Sequence, residues 1–353
     1  MNKTETALAE LLQKLSLLFV RESEWNASTK MRCRGAKPDM SGEIKLFENP
    51  FQIEDLLVFD DDTLHRLLAG QTNIARIAHS MQDTPQELIE RIQQNLPEER
   101  RDEFWQELQR HASQDESEQA RRQVLDAFFW ELIYWKAPRL YEELTEGERL
   151  HAGIFKRLDS DVRGKKVLDG GAGSGRATIE CLRHGAALVY AIEPSPGLRR
   201  ILQHKIASLA GAGRVILRAG SFTLLPLEDD SVDVALCCSA FTAEPERGGE
   251  AGLLELKRVT RSGGKVVLIW PRVKDRDWLR ERGFQYVSLP RNGDMSIHFR
   301  SLRSAVRCAR IFYGRNRAVR RYLLTAKRPV IPFSIIGVNP PDDYCWLQVQ
   351  KGE

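Results

Sequence analysis

The chain has 353 residues, with 53 Lys+Arg against 49 Asp+Glu and a formal net charge of +4. That length suits two domains of roughly 150 residues, and 42% hydrophobic with 29% charged residues describe an ordinary globular chain with ample core. The small balance excludes a histone-like tail and an acidic solvating chain, and no apolar run approaches the ~18 residues of a bilayer span.

At the amino terminus Leu8, Leu11, Leu12, Leu15 and Phe19 make one face of an amphipathic helix. Gln13, Lys14 and Ser16 interrupt the apolar run, so a secretory leader is not expected. Residues 20–48 show no clear period. The cysteines Cys33, Cys181, Cys237, Cys238, Cys308 and Cys345 form no C-x-x-C pair. Neither a disulfide framework nor a metal site is expected, and a reducing cytoplasm fits best. The sequons at Asn2 and Asn26 carry no meaning there.

From Pro50 to Lys136 the pattern is helical. Thr84-Pro85-Gln86-Glu87 predicts a helix start with Thr84 as N-cap, Pro85 at the first position and Glu87 closing a capping box. Leu88, Ile89, Ile92 and Leu96 follow at helical spacing. Phe104, Trp105 and Leu108 mark a second helix. A third runs from Val124 through Phe128, Phe129 and Leu132 to Trp135, stopped by Pro138. The polar stretch Gln114–Arg122 reads as a solvated face or linker.

After residue 160 strands alternate with helical stretches. Strands are predicted at 166–168, 187–192, 215–218, 232–238, 266–270, 284–289 and 344–349. That rhythm implies an α/β fold, a parallel sheet covered on both faces.

The sharpest motif is Val167-Leu168-Asp169-Gly170-Gly171-Ala172-Gly173-Ser174-Gly175-Arg176, a strand feeding a glycine-rich turn and a helix. Glycines let a ligand approach the backbone, and a helix start offers unpaired N–H groups. The dinucleotide fingerprint G-x-G-x-x-G fails here, because Arg176 or Thr178 falls where its third glycine belongs. Asp169, just before the glycines, can take the ammonium of an amino-acid ligand. Glu193, at the end of the second strand, can accept both hydroxyls of a ribose.

VLDGGAGSG, AIEPSPG, LPLEDDSVDVALCCSAF and LKRVTRSGGKVVLIW resemble the class I S-adenosylmethionine-dependent methyltransferases. The resemblance covers roughly residues 150–290, with the chain end fitting the last strand. It implies a doubly wound Rossmann-like sheet of order 3-2-1-4-5-7-6 with an antiparallel last strand. It also implies S-adenosyl-L-methionine as cofactor, with Asp169, Gly171 and Gly173 at its methionine end and Glu193 at its ribose. Gly170, Ala172, Gly175, Pro194, Cys238 and Ser239 complete the expected cofactor-binding set. The family often has Gly-Asp-Ala after the third strand, the Asp meeting the adenine amine. Here Gly220-Ser221-Phe222 stands there. Ser221 can still hydrogen-bond, Phe222 can cover the adenine, and the missing carboxylate raises weakened binding or lost catalysis. Cys237, Cys238, Ser239 and Glu244 lie near the expected reaction centre. No catalytic base is evident, and the paired cysteines read as core.

In the first half, Phe51 to Asp61, with Leu64, Arg66, Leu67 and Leu68, resembles the opening of the C-terminal domain of the flagellar motor-switch protein FliG. Glu87 to Leu96 and Glu99-Arg100-Arg101 continue the match, which runs to about Trp135. The family's charged stretch after the paired leucines meets the stator. Here it is Ala69-Gly70-Gln71-Thr72, almost chargeless, so torque generation is not expected. What remains is an all-helical module that docks a protein, or alternatively a cap that completes a substrate pocket.

Between the sixth and seventh strands about fifty residues intervene, and Met295–Pro341 contains no Asp or Glu. Arg300, Arg303, Arg307 and Arg310 recur at helical spacing, with Tyr313 beside them. A lid over the active site with Arg303, Arg307, Arg310 and Tyr313 meeting an acidic substrate is one reading. Pairing with the helical half, for example Asp60–Asp62 or Glu116–Glu118, is the other.

The expected organisation is a helix and irregular segment over 1–47, a FliG-like helical adaptor over 48–140 and a methyltransferase over 141–353, with a basic insertion over 291–341. The expected activity is methyl transfer to an oxygen or nitrogen of a protein or acidic small molecule. A non-catalytic interaction protein of the same fold is the alternative and an RNA methyltransferase a second. Nucleic acid is disfavoured by the small net charge.

Overall fold

The computed structural model describes residues 49–352. The helix expected over Leu8–Phe19, the segment 1–47 and Cys33 lie outside the described residues. Leu46–Glu353 forms one compact unit.

Its first part is helical. A 3-10 turn, Ile53–Val58, leads into α1 (Asp61–Ala69), whose N-cap Asp60 accepts from the Thr63 N–H at 2.9 Å. Then come α2 (Ile74–Ser80), α3 (Gln86–Asn95), α4 (Arg101–Gln109), α5 (Gln114–Ala127), α6 (Phe129–Lys136) and α7 (Pro138–Thr145). Leu56, Leu64, Leu68, Ile77, Leu88, Ile92, Phe104 and Phe128 close their core.

Three local expectations are corrected. Thr84 caps nothing: its hydroxyl donates back to the Met81 carbonyl at 2.6 Å, and Pro85 itself stands at the N-cap of α3. Of the two readings of Gln114–Arg122 the linker is corrected and the solvated face holds: the stretch is the largely exposed start of α5, held by a capping box between Ser113 and Glu116. The single third helix is two, broken at Phe128, and Pro138 both ends α6 and opens α7.

Two short helices, α8 (Gly153–Arg157) and α9 (Asp159–Val162), lead into the sheet. Its strands are β1 (Lys166–Gly170), β2 (Leu188–Ile192), β3 (Val215–Arg218), β4 (Val232–Cys238), β5 (Thr260–Ile269) and β6 (Gln285–Ser288). Helices α10 (Arg176–Arg183), α11 (Pro196–Ala207), α12 (Gly249–Val259) and α13 (Arg276–Glu281) cross between them. The insertion adds β7 (Ser296–His298), α14 (Leu302–Phe312), α15 (Arg317–Ala326), β8 (Val330–Pro332) and α16 (Phe333–Ile336), and β9 (Asp343–Gln348) closes the sheet. The order is β3-β2-β1-β4-β5-β9-β6, with β9 antiparallel to both neighbours. This is the expected seven-stranded arrangement, with β9 in the place of the seventh strand. The antiparallel β7–β8 pair, whose strands lie on either side of α14 and α15, had no signal in the sequence; each partner is three residues long.

The helical part and the insertion share one core. Phe129, Ile133 and Leu144 pack with Ile297, Phe299, Cys308, Phe312, Val319 and Phe333. Trp130 stacks on Phe312 with centroids 5.5 Å apart and planes 14° apart.

Candidate active site

Strand β1 delivers Asp169 and Gly170 to the ligand-facing end of the sheet. The turn beyond it needs glycine. Gly171 and Gly173 have φ of +68° and +56°, and Gly175 caps α10 in the left-handed region. A Cβ on Gly171 would stand 2.5 Å from the Ala240 Cβ and 3.1 Å from the Phe222 ring. The absence of that methyl lets the loop after β4 close onto the loop after β1.

Asp169 is buried. Its Oδ2 accepts from the Thr178 hydroxyl at 2.5 Å, while its buried Oδ1 has no partner. Burial pushes this carboxyl up to about 6, against the pull of the Thr178 hydrogen bonds. Glu193 follows β2 and is also buried. Its Oε2 accepts from the Gly173 N–H at 2.8 Å and its Oε1 from the Ser195 N–H at 2.9 Å. Burial pushes it up to about 7, with those two hydrogen bonds opposing. Each oxygen keeps a lone-pair direction unused.

A cavity of about 790 Å³, counted with its open mouth, lies over these groups. Of the expected cofactor-binding set, Gly171, Gly173, Glu193, Pro194, Ser221, Phe222 and Ser239 line it. A smaller cavity of about 280 Å³ continues past the glycines, lined by Ala172, Cys238, Tyr141 and Arg176 among others. Gly170, Gly175 and Asp169 line neither; they shape the loop from beneath. Ser221 and Thr223 pair their hydroxyls at 3.2 Å, and Phe222 sets its edge on Phe241. Cys237 and Cys238 are held as thiols, because burial raises both. Glu244 points elsewhere: it pairs with Arg272 at 2.8 Å and Lys274 at 2.7 Å.

The helical region walls the cavity. Arg66, Glu131, Tyr134 and Tyr141 line it opposite Glu246, Arg247 and Gly248 from the loop after β4. Arg247 stands 3.8 Å from Glu131, and Ser195 donates to the Tyr134 carbonyl at 2.7 Å. Burial pushes Tyr134 up to about 12 and Tyr141 well above its usual value, so both remain protonated. Gly70 lies against Glu246: a methyl group there would run into the Glu246 side chain. Within the near-chargeless Ala69–Thr72 stretch it is Gly70 that meets the sheet region, while Ala69 and Thr72 are exposed.

Arg176 was missed as a site residue. Its side chain is mostly covered, Nη1 donates to the Glu148 carbonyl at 3.0 Å and stands 3.5 Å from the Glu148 carboxylate, and its guanidinium lies 5.7 Å from the Trp270 ring centroid. Its place directly after the last glycine was the available signal. The wall residues 66, 131, 134 and 141 had none, since they sit on helices far away in sequence.

The expected substrate set does not reach the site. Arg303, Arg307 and Arg310 are exposed, Tyr313 is half-buried in the shared core, and none lines either cavity. Arg300 precedes α14 rather than riding on it, and forks onto Glu146 at 2.6 and 2.5 Å. Arg307 pairs with Glu143. Pairing with the helical half therefore occurs, through α7 and its end rather than Asp60–Asp62 or Glu116–Glu118. The insertion does meet the end of β5, where Trp270 donates to the Asn339 carbonyl at 3.0 Å and packs on Phe333. No helix among the described residues is long and apolar enough to cross a membrane.

Residues 167–264 match the family described as "Methyltransferase domain", and residues 34–128 match "FliG C-terminal domain". An uncharacterized methyltransferase-like protein of Schizosaccharomyces pombe is 32% identical over 104 residues, 30% of this chain and 37% of that protein. An O-methyltransferase of Aspergillus nomiae is 27% identical over 143 residues, 40% of this chain and 62% of that one. The chain thus spans well under two thirds of these relatives' own lengths. A solved methyltransferase of Aquifex aeolicus is similar with 18% identity, a TM-score of 0.37, and coverage of 46% of this chain and 92% of that one. By its motifs and the family match, the chain carries a methyltransferase domain over residues 167–264, preceded by a helical region that matches the FliG C-terminal domain.

Proposed function

We propose that the protein is a methyltransferase that binds S-adenosyl-L-methionine in the two joined cavities. The observation that carries this reading is the buried, partnerless Oδ1 of Asp169 beneath a glycine turn whose Gly171 and Gly173 line both cavities. A buried carboxylate oxygen without a donor is costly, and the cofactor's ammonium is the donor it lacks. The residues present fit the cofactor along its length. Asp169 and the Gly171–Gly173 backbone take the methionine end. Arg176, already cationic and mostly covered, takes the carboxylate. Glu193 accepts from the ribose hydroxyls. Ser221 and Phe222 border the adenine, and Pro194, Ser239 and Cys238 close the sides.

When bound, the cofactor supplies a methyl group on an electrophilic sulfonium. The chain's own work is to align and to exclude water. Tyr134 and Tyr141, held protonated, offer hydroxyl donors, and Arg66, Arg247 and Glu131 close the cover. We infer an oxygen or nitrogen acceptor on an anionic molecule. We further infer that a protein docked on the helical region would act on the cavity through Arg66 and Glu246. The five described cysteines are free thiols, which supports a cytoplasmic location.

A second reading, a non-catalytic protein of the same fold, rests on Ser221, which brings a hydroxyl where the family often brings a carboxylate. Titration calorimetry with S-adenosylmethionine and S-adenosylhomocysteine separates the two. Micromolar binding, about −8 kcal/mol, lost in Asp169→Ala supports the cofactor site. Transfer of a labelled methyl group into a lysate from the source organism then supports catalysis. A folded protein that binds neither ligand defeats both the cofactor site and the enzyme.

A further inference from the structure

The net charge of +4 conceals a segregated molecule. Met295–Pro341 holds ten Lys+Arg and no acid, which leaves the rest of the chain with 43 Lys+Arg against 49 Asp+Glu. A +10 insertion is mounted on a −6 body. Only part of that charge is neutralised in the fold: Arg300 and Arg307 are taken by Glu146 and Glu143. Arg303, Arg310, Arg315, Arg317, Arg321 and Arg328 are exposed, and their side chains make no ion pair or hydrogen bond among the described residues. Like charges packed this closely on two neighbouring helices repel one another, and that cost is offset when a polyanion covers them.

The surface continues toward the site. Arg300 and Arg307 edge an open groove of about 1440 Å³, where Arg139, Arg200, His204 and Lys205 outnumber the carboxylates Glu142, Glu143 and Glu146 that Lys205, Arg307 and Arg300 pair with. That groove shares Glu146 and Lys205 with the next cleft. The cleft in turn shares Thr145, Ser174 and Arg176 with the smaller cavity beside the glycines. Basic surface and reaction centre are thus ends of one track.

We propose that the insertion and this groove form a docking face for the phosphate backbone of a folded RNA. Nine of the ten cations are arginine, whose planar fork suits phosphate. Tyr313 and Tyr322 are half-buried in the shared core, so the face grips backbone rather than stacking unpaired bases. A lipid surface fits poorly: Leu324 and Val338 are the only large apolar residues counted as exposed in the insertion's described residues. The acceptor must project from the bound backbone into a narrow cavity. Folded RNA offers loops beside helices, whereas duplex DNA offers this only after base extrusion. Docking stands on charge alone; that the docked RNA carries the methyl acceptor rests on the methyltransferase reading.

The test is fluorescence anisotropy of a labelled RNA hairpin, with the full chain, at about 50 and 200 mM salt. The expected result is binding that weakens at least tenfold over that range. In Arg303→Glu/Arg310→Glu/Arg317→Glu binding is lost at both salts, with S-adenosylhomocysteine affinity unchanged. Asp169→Ala does the reverse: it loses the cofactor product and keeps the hairpin, so failure of the two readings is distinguishable. The proposal is overturned by a wild-type protein that shows no salt-dependent binding. Unchanged binding in the triple variant overturns it too, as does tighter binding to phosphatidylserine vesicles, a polyglutamate peptide or duplex DNA than to the hairpin.

Discussion

Arg66 reaches from α1 to the backbone carbonyl of Glu246, Nη1 to O 3.0 Å, across 180 positions of sequence. The bond ties the FliG-like helices to the loop that covers the cofactor cavity. A charged donor to a half-buried carbonyl contributes about 1.5–3 kcal/mol. Arg66→Ala therefore weakens S-adenosylhomocysteine binding by about tenfold, roughly 1.4 kcal/mol. Calorimetry on the variant checks this, with circular dichroism showing an unchanged helix content.

Gly171→Ala meets two obstacles at once. Its φ of +68° disfavours a side chain, and the new methyl would stand 2.5 Å from the Ala240 Cβ. The overpacking costs about 1–3 kcal/mol of stability. Cofactor binding falls below detection while the protein still melts cooperatively. Near-normal affinity in this variant would place the ligand elsewhere.

Asp169→Asn removes a buried charge that the free protein does not fully satisfy. We expect the ligand-free variant to melt at the same temperature as the wild type or above it at pH 8, and to bind the cofactor at least a hundredfold more weakly. A functional group held at a cost to stability is the usual pattern of active sites. Paired melting curves with and without ligand read both halves of this prediction.

Glu193 gives the pH dependence. Its carboxyl moves from 4.5 in the unfolded chain to about 7 in the fold. Between those values the folded state holds the extra proton, so the free protein loses stability as pH rises from about 4.5 to about 7 and then levels. For this group alone the change is about 3 kcal/mol. Ribose hydroxyls favour the carboxylate, so cofactor binding near pH 6.5 should release protons. Calorimetry in buffers of different ionisation enthalpy measures that release, and Glu193→Gln should diminish it.

The shared core sets the cooperativity. Phe312 is buried against Trp130 and Phe129. Phe312→Ala should cost about 3–5 kcal/mol. It should lower one common transition rather than release the insertion alone. Two separate transitions in calorimetry would show that the helices and the insertion fold apart.

The sheet was legible because its strands carry their own signals. Val215–Arg218 and Val232–Cys238 are short apolar-rich segments, interrupted only by Arg218 and Asp233, and their limits are those of β3 and β4. Asp169, the glycines and Glu193 were legible because strand, turn and helix confine a ligand to one place along the chain. The wall was not. Tyr134 and Tyr141 look like ordinary apolar-face residues, and only tertiary packing turns them to the cavity. Arginines at spacings of three and four suggested a face over the substrate. That spacing fixes a helix face but not what the face meets, and Arg307 met Glu143 instead. Net charge says little for a related reason: a sum over the chain discards where the charges sit.

The stack of Trp130 on Phe312 also bears on how such a chain can change over generations. A recombination event that cut between the two matched regions would leave apolar rings on both products. Neither fragment would be a tolerable intermediate. The fusion thus behaves as a ratchet: once this core had formed, the helices could be shed only after polar substitutions had first been made on the surface they cover.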